Sequence, residues 1–179
     1  MKKLLSDKPR DLTLFAIGIN TNLRASDLKH LKVSQVRHLK PAKGENEIEV
    51  VEKKTGKPRR IALNKTCIEA IRNLLNSNSY EDSDYLFHSQ RREVLTVPSV
   101  IRLVKSWCRA INLKGNYGSH TLRKTWGYHQ RVTFGVDLPR LMVNFPQKSR
   151  HGQAQSFTFC FSYSAGQRYP SVECLLCRL

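Results

Sequence analysis

Two pairs of residues have the types and spacing of a phosphate-handling site. Arg24 stands three residues before Asp27, and His120 stands three residues before Arg123. Positions three apart share a helix face, so each pair can present two functional groups to one place. Attack on a phosphodiester concentrates negative charge on the non-bridging oxygens. Guanidiniums answer that charge with fixed, bidentate donors that a lysine point charge does not offer. Arg24 and Arg123 are therefore the candidate clamp, and His120 can bond the same phosphate or help move a proton. Each pair also has a plainer reading. Arg24 with Asp27 can be a surface ion pair, and His120 can be a residue that caps the start of a helix.

A third feature is the run Lys53-Lys54-Thr55-Gly56-Lys57-Pro58-Arg59-Arg60. Its cations serve either as a solvated turn or as phosphate contacts. The whole composition leans the same way. In 179 residues, 31 lysines and arginines face 14 acids, for a formal charge of +17 and a pI near 10.1. Such an excess is self-repulsive without a polyanionic partner, and nucleic acid leads the candidates. The apolar runs fall short of the roughly 20 residues a spanning helix needs, so no membrane partner is expected. The first residues lack the apolar stretch of a signal peptide. Five cysteines, at 67, 108, 160, 174 and 177, make no even disulfide framework, and a reducing, cytoplasmic setting is expected.

Several elements must position these groups. Residues 10–20 carry apolar side chains too densely for a solvated strand and follow Lys8-Pro9, which predicts a buried helix with Asp11 as a first-turn acid. After Asn20-Thr21-Asn22, a short helix is expected from Ala25 to Leu31, with Ser26 or Asp27 satisfying its free amides. Residues 47–52 and 59–63 read as two strands joined by a basic tip, with Gly56 and Pro58 supplying the turn. Residues 64–78 have helical spacing. Tyr85-Leu86-Phe87 is a short extended piece, and Val100, Leu103, Val104, Trp107 and Ile111 line one face of a further helix. His120-Thr121-Leu122-Arg123 opens the next, and Leu138 to Phe145 forms another. Tyr117, Trp107, Trp126 and Tyr128 are expected to be packing residues. The predicted class is α+β, mostly helical, with a small antiparallel sheet.

In this order, Arg24-x-x-Asp27 after an apolar helix, the Lys54-Thr55 hairpin tip, His120-x-x-Arg123 and a later helix resemble the tyrosine recombinase pattern of the phage integrase family. The resemblance runs from about residue 8 to about residue 145. It implies a catalytic domain that breaks and rejoins double-stranded DNA through a 3′-phosphotyrosine intermediate, for integration or excision of a mobile element. It makes Lys54 the general acid on the leaving 5′ oxygen, with Lys53 and Lys57 as its local competitors. It sets Asp27 behind the pocket, positioning His120 or Arg123. Lys53, Lys57, Arg59, Arg60 and Lys124 become DNA-binding residues, and the partners become DNA and, if the chain is active, other recombinase subunits in a synaptic complex. It implies no cofactor and no metal, because cationic side chains stand where many nucleases use divalent ions. The amino-terminal domain with which such proteins close around DNA is expected to be absent, so affinity should be weak, salt-sensitive and poorly sequence-specific.

The pattern departs from the family after Arg123. A Gly-His or tryptophan element belongs roughly two dozen residues later, and the nucleophilic tyrosine about nine beyond that. Those slots fall near Pro146-Gln147 and Gln155-Ser156. The nearest substitutes are His151 with Tyr163 or Tyr169, and Tyr163 is the preferred nucleophile. Phe157 to Ser162 resembles nothing in the family's terminal helices, and Cys174-Leu175-Leu176-Cys177 lacks the second pair a metal site needs. Residues 1–145 are thus expected to form the catalytic domain. Residues 146–179 are read as an aberrant tail, translated out of frame or else divergent. The rival reading of the whole chain is a catalytically inactive DNA-binding remnant or regulator. An RNA-binding protein would need stacking aromatics on its sheet, and residues 47–63 carry none.

Overall fold

The computed structural model describes residues 1–40, 46–89 and 91–143, with side chains through 141. The first long helix, α1 (Pro9–Asn20), starts with proline in its first turn, where a missing amide hydrogen costs nothing. It is the central rod of the core. Leu14, Phe15, Ala16 and Ile17 are fully or almost fully buried, and Thr13 sends its hydroxyl to the Ala70 carbonyl at 2.8 Å. Asp11 is more than a first-turn acid. It is buried, accepts from Arg10 Nε at 3.0 Å and from Trp107 Nε1 at 3.4 Å, and so ties α1 to the helix that carries Trp107.

Two short helices follow, α2 (Ala25–Leu28) and α3 (Val33–Val36). The first ends sooner than the expected Leu31, because the Leu31 carbonyl accepts from the Leu86 amide at 2.7 Å and Lys32 bridges Tyr85. That contact also places the extended Tyr85-Leu86-Phe87 piece, whose Leu86 and Phe87 are fully buried. The expected cap is corrected as well. Arg24 occupies the N-cap position of α2 without a side-chain bond to the helix amides, and Asp27 accepts from the Lys53 amide instead.

Strands β1 (Glu47–Val51) and β2 (Pro58–Ala62) form an antiparallel pair in the register Glu47↔Ala62 through Val51↔Pro58. Successive strand side chains point to opposite faces. Ile48 and Val50 are buried while Glu47, Glu49 and Val51 are exposed. Continuing that alternation by one step turns Glu52 toward the core. The turn between the strands needs Gly56, whose φ of +67° lies in the left-handed region. Gln35 Nε2 donates to the Glu49 carbonyl at 2.7 Å and moors the hairpin to α3.

The remaining helices are α4 (Lys65–Ser77), α5 (Val97–Ala110), α6 (Ser119–Val132) and α7 (Leu138–Val143). Asn64 and Thr96 cap α4 and α5 through their side chains, as their short polar groups favour. Trp107 meets Phe15 edge-on with centroids 6.2 Å apart. Tyr117 is buried, and Trp126 and Tyr128 are partly buried. The helix bearing His120 begins one residue earlier than expected, at Ser119. A Cβ placed on Gly18 would stand 2.7 Å from Leu122 Cδ1. Glycine thus suits the close approach of α1 to α6 at Leu122, the neighbour of Arg123. Cys67 and Cys108 are free and buried, and burial pushes their thiols up to about 12 and about 11. They are packing residues, unreactive at neutral pH. No helix among the described residues is long and apolar enough to cross a membrane.

Candidate active site

The end of α1, the start of α2, the turn of the hairpin and the first turns of α6 come together. Arg24 stands with an extended backbone just before α2, which sends its side chain toward the hairpin. Its Nη1 donates to Glu52 Oε2 at 2.9 Å and lies 3.9 Å from Asp27 Oδ2. Arg59, on the inner face of β2 with Ile61, reaches the other Glu52 oxygen at 3.6 Å. Glu52 is 8% exposed. Burial drives its carboxyl pKa up, but hydrogen bonds from Arg24 and Thr55 and the charges of Arg24 and Arg59 outweigh that effect. The carboxyl is left below its ordinary range, firmly ionised at neutral pH.

Arg123 is buried in the second turn of α6 and donates from Nε to Asn22 Oδ1 at 2.9 Å. Desolvation, then the charges of Arg24 and Arg59, push its guanidinium down to about 10, against an opposing pull from Glu52 and Asp27. It therefore remains protonated at neutral pH while sitting close to two like charges. His120, exposed one turn earlier, has an imidazole lowered by partial burial and then by Arg123, Lys124 and Arg24. It is neutral at pH 7 and able to accept a proton.

Three guanidiniums and two buried carboxylates, Glu52 and Asp27, leave one positive charge over. A phosphodiester carries negative charge, so this cationic excess suits a phosphate.

Lys54 is exposed in the turn after β1. The turn is anchored on both sides of it. The Lys53 amide donates to Asp27 Oδ1 at 3.1 Å, and the Thr55 hydroxyl donates to Glu52 Oε2 at 3.0 Å. Lys53 also depresses Lys29, whose pKa is lowered first by burial and then by that charge. Lys57, Arg60 and Lys124 are exposed, so the cationic surface continues beyond the buried clamp. His151, Tyr163 and Tyr169 lie outside the described residues, as does the end of the helix expected to reach Phe145.

The sequence reading missed Glu52 and Asn22. Strand alternation through Ile48 and Val50 was a signal for the first. For the second there was none, because an asparagine in a polar break reads as a turn residue.

The model of the Phage integrase family matches residues 1–143. Among relatives, the probable integrase/recombinase YoeC of Bacillus subtilis (strain 168) is 32% identical over 142 residues, covering 78% of this chain and 74% of that protein. The tyrosine recombinase XerC of Caldanaerobacter subterraneus subsp. tengcongensis is 33% identical over 133 residues, covering 69% of this chain but 35% of the relative. A crystal structure of XerA recombinase matches with a TM-score of 0.66 at 20% identity, over 89% of this chain and 56% of that one. XerH bound to its palindromic difH substrate, in a post-cleavage complex, matches at 0.64 and 21% identity, over 86% of this chain and 43% of that one. At these identities the structural matches speak for the α+β catalytic-domain fold. The family model extends through Arg24, the hairpin, His120 and Arg123, and this chain belongs to the phage integrase family.

Proposed function

We propose that this chain is the catalytic domain of a site-specific tyrosine recombinase, acting on double-stranded DNA to integrate or excise a mobile element. The observation that carries the reading is the convergence of Arg24, Arg59 and Arg123 on one spot, with an ionised Glu52 holding two of them. Family membership supports it, and a matched structure of the Lambda Integrase bound to DNA supports DNA as the partner.

In the proposed reaction a tyrosine oxygen attacks the phosphorus and the bond to the 5′ oxygen breaks. The phenolic proton passes to neutral His120, and Lys54 gives a proton to the departing 5′ oxygen. The products are a 3′-phosphotyrosine and a free 5′ hydroxyl. Attack by an incoming 5′ hydroxyl reverses each transfer, so the phosphoester is conserved without ATP. A free phenol titrates near about 10 and needs a cationic pocket to become reactive. Tyr163 is the candidate nucleophile, following His151 in the sequence. Other recombinase subunits would complete a synaptic complex, and the exposed Lys53, Lys57, Arg60 and Lys124 would follow the DNA backbone. Residues 1–145 are proposed as the catalytic domain, and Tyr163 serves as the nucleophile if residues 146–179 are a divergent native end; if they are an out-of-frame tail, the chain binds DNA but forms no phosphotyrosine. A nucleotide sequence in which no one-base shift near codon 146 restores His and Tyr at the family spacing would sink the out-of-frame alternative. Free thiols at Cys67 and Cys108 suit a reducing, cytoplasmic setting.

The deciding experiment uses a pool of nicked suicide duplexes with randomised cores, which needs no known target site, followed by denaturing electrophoresis. A covalent protein–DNA adduct is expected, lost in Arg123→Ala, and lost in Tyr163→Phe if Tyr163 is the nucleophile. Salt-dependent DNA binding without any adduct would overturn catalysis in favour of an inactive DNA-binding remnant.

A further inference from the structure

We propose that Glu52 is a positioning residue that joins the leaving-group acid to the phosphate clamp, so that Lys54 and Arg24 are set by one carboxylate. The inference rests on the recombinase reading for the role of Lys54, but its structural basis is independent of that reading. One Glu52 oxygen accepts both from Arg24 Nη1 at 2.9 Å and from the Thr55 hydroxyl at 3.0 Å, while the other faces Arg59 at 3.6 Å. The same residue organises the turn through its backbone. Its carbonyl accepts from the Thr55 and Gly56 amides at 3.3 and 2.8 Å, and its amide donates to the Lys57 carbonyl at 3.0 Å. The Thr55 hydroxyl in turn accepts from the Lys57 amide at 3.3 Å.

Lys54 is thus held between two carboxylates that also face Arg24. Asp27 fixes the residue before it, and Glu52 fixes the residue after it. A hairpin tip on its own is among the most mobile parts of a fold, and a proton donor must sit within hydrogen-bond reach of the atom it serves. Tying the tip to the arginine that binds the phosphate places the acid relative to the group it must protonate. Thr55 is the arm toward Lys54, and Arg24 with Arg59 is the arm toward the phosphate.

The two arms separate experimentally by changing the leaving group. A thiol is acidic enough to depart without a proton donor, with a pKa of about 8.5, so a duplex with sulfur at the bridging 5′ position bypasses Lys54. Thr55→Val keeps the shape of the side chain and the Glu52–Arg24 pair but removes the hydroxyl. It is expected to slow adduct formation on the ordinary duplex by about 10- to 100-fold, and to recover to within about threefold of wild type on the sulfur duplex. Glu52→Gln is expected to show a larger loss that sulfur relieves only in part, because the clamp is loosened too. An equal loss on both duplexes for Thr55→Val, or no loss on either, overturns the proposal.

Wild type failing on both duplexes would defeat the recombinase reading. The coupling itself is then read by amide hydrogen exchange on the full chain. Faster exchange across residues 53–57 in Glu52→Gln, with α1 and α4 unchanged, upholds it, and unchanged exchange at 53–57 overturns it.

Discussion

The two sides of the cationic site are held in different ways. Arg24 and Arg59 are fixed by carboxylates, with Glu52 between them and Asp27 behind. Arg123 is oriented through Nε by the amide oxygen of Asn22. A carboxylate orients a cation and cancels its charge, whereas a neutral amide orients it and leaves the charge in place. The hairpin side is therefore an internally balanced scaffold. On the α6 side the Arg123 guanidinium is depressed first by burial and then by the charges of Arg24 and Arg59, against an opposing pull from Glu52 and Asp27.

The largest test of that division is to remove each arginine in turn. Arg123→Ala should lower adduct formation by about 10²–10³-fold, the usual cost of losing one donor to a developing charge, with little recovery in Arg123→Lys because the planar fork is gone. Its denaturant midpoint should fall by less than that of Arg24→Ala, because the Asn22 amide it leaves behind is neutral. Arg24→Ala should lose activity and also destabilise the fold by about 3 kcal/mol, because Glu52 and Asp27 are left buried and poorly compensated. Equal destabilisation by both substitutions would erase the distinction.

Gly18→Ala tests how closely α6 must approach. The added methyl meets Leu122 Cδ1 at 2.7 Å and its Cβ at 3.3 Å, so overpacking should outweigh the gain in helix propensity and cost about 1–2 kcal/mol in urea unfolding. Because Leu122 adjoins Arg123, the same variant should weaken binding to short duplex DNA.

Acid should discriminate the two sides next. The Glu52 carboxyl is lowered in the folded protein, so the unfolded chain binds the proton more readily. Its contribution is present above the unfolded carboxyl pKa of about 4.3 and is lost as pH falls through the lower folded value. Unfolding midpoints followed from pH about 6 to about 3 should fall in wild type, and less steeply in Glu52→Gln, which has no proton to gain.

The smallest effect is expected at His120. Lys124 is exposed and adds to the depression of its imidazole, so Lys124→Gln should move the His120 titration upward in an NMR pH series, and the acid limb of activity should move with it. A titration that stays put would mean that burial and Arg123 account for the depression without Lys124.

Local spacing made much of this legible. Apolar periodicity placed α1 and α4 within a residue or two and picked out Val100, Val104 and Trp107 of the buried face of α5. Gly56 and Pro58 marked the turn, and the three-residue spacing within Arg24-Asp27 and His120-Arg123 marked the polar groups to watch. These are properties of single elements, and the chain encodes them within a few residues. What joins Arg24 to Arg123 depends on contacts between residues about a hundred positions apart, and those required the fold. Glu52 reads in sequence as one more strand-edge acid, Asn22 as a turn residue, and Gly18 as an unremarkable small residue. Their roles appear only when α6 lies against Gly18 and the hairpin folds back over α2. Burial then turns an ordinary acid into the anchor of two arginines, because a charge removed from water must find its partner inside the protein.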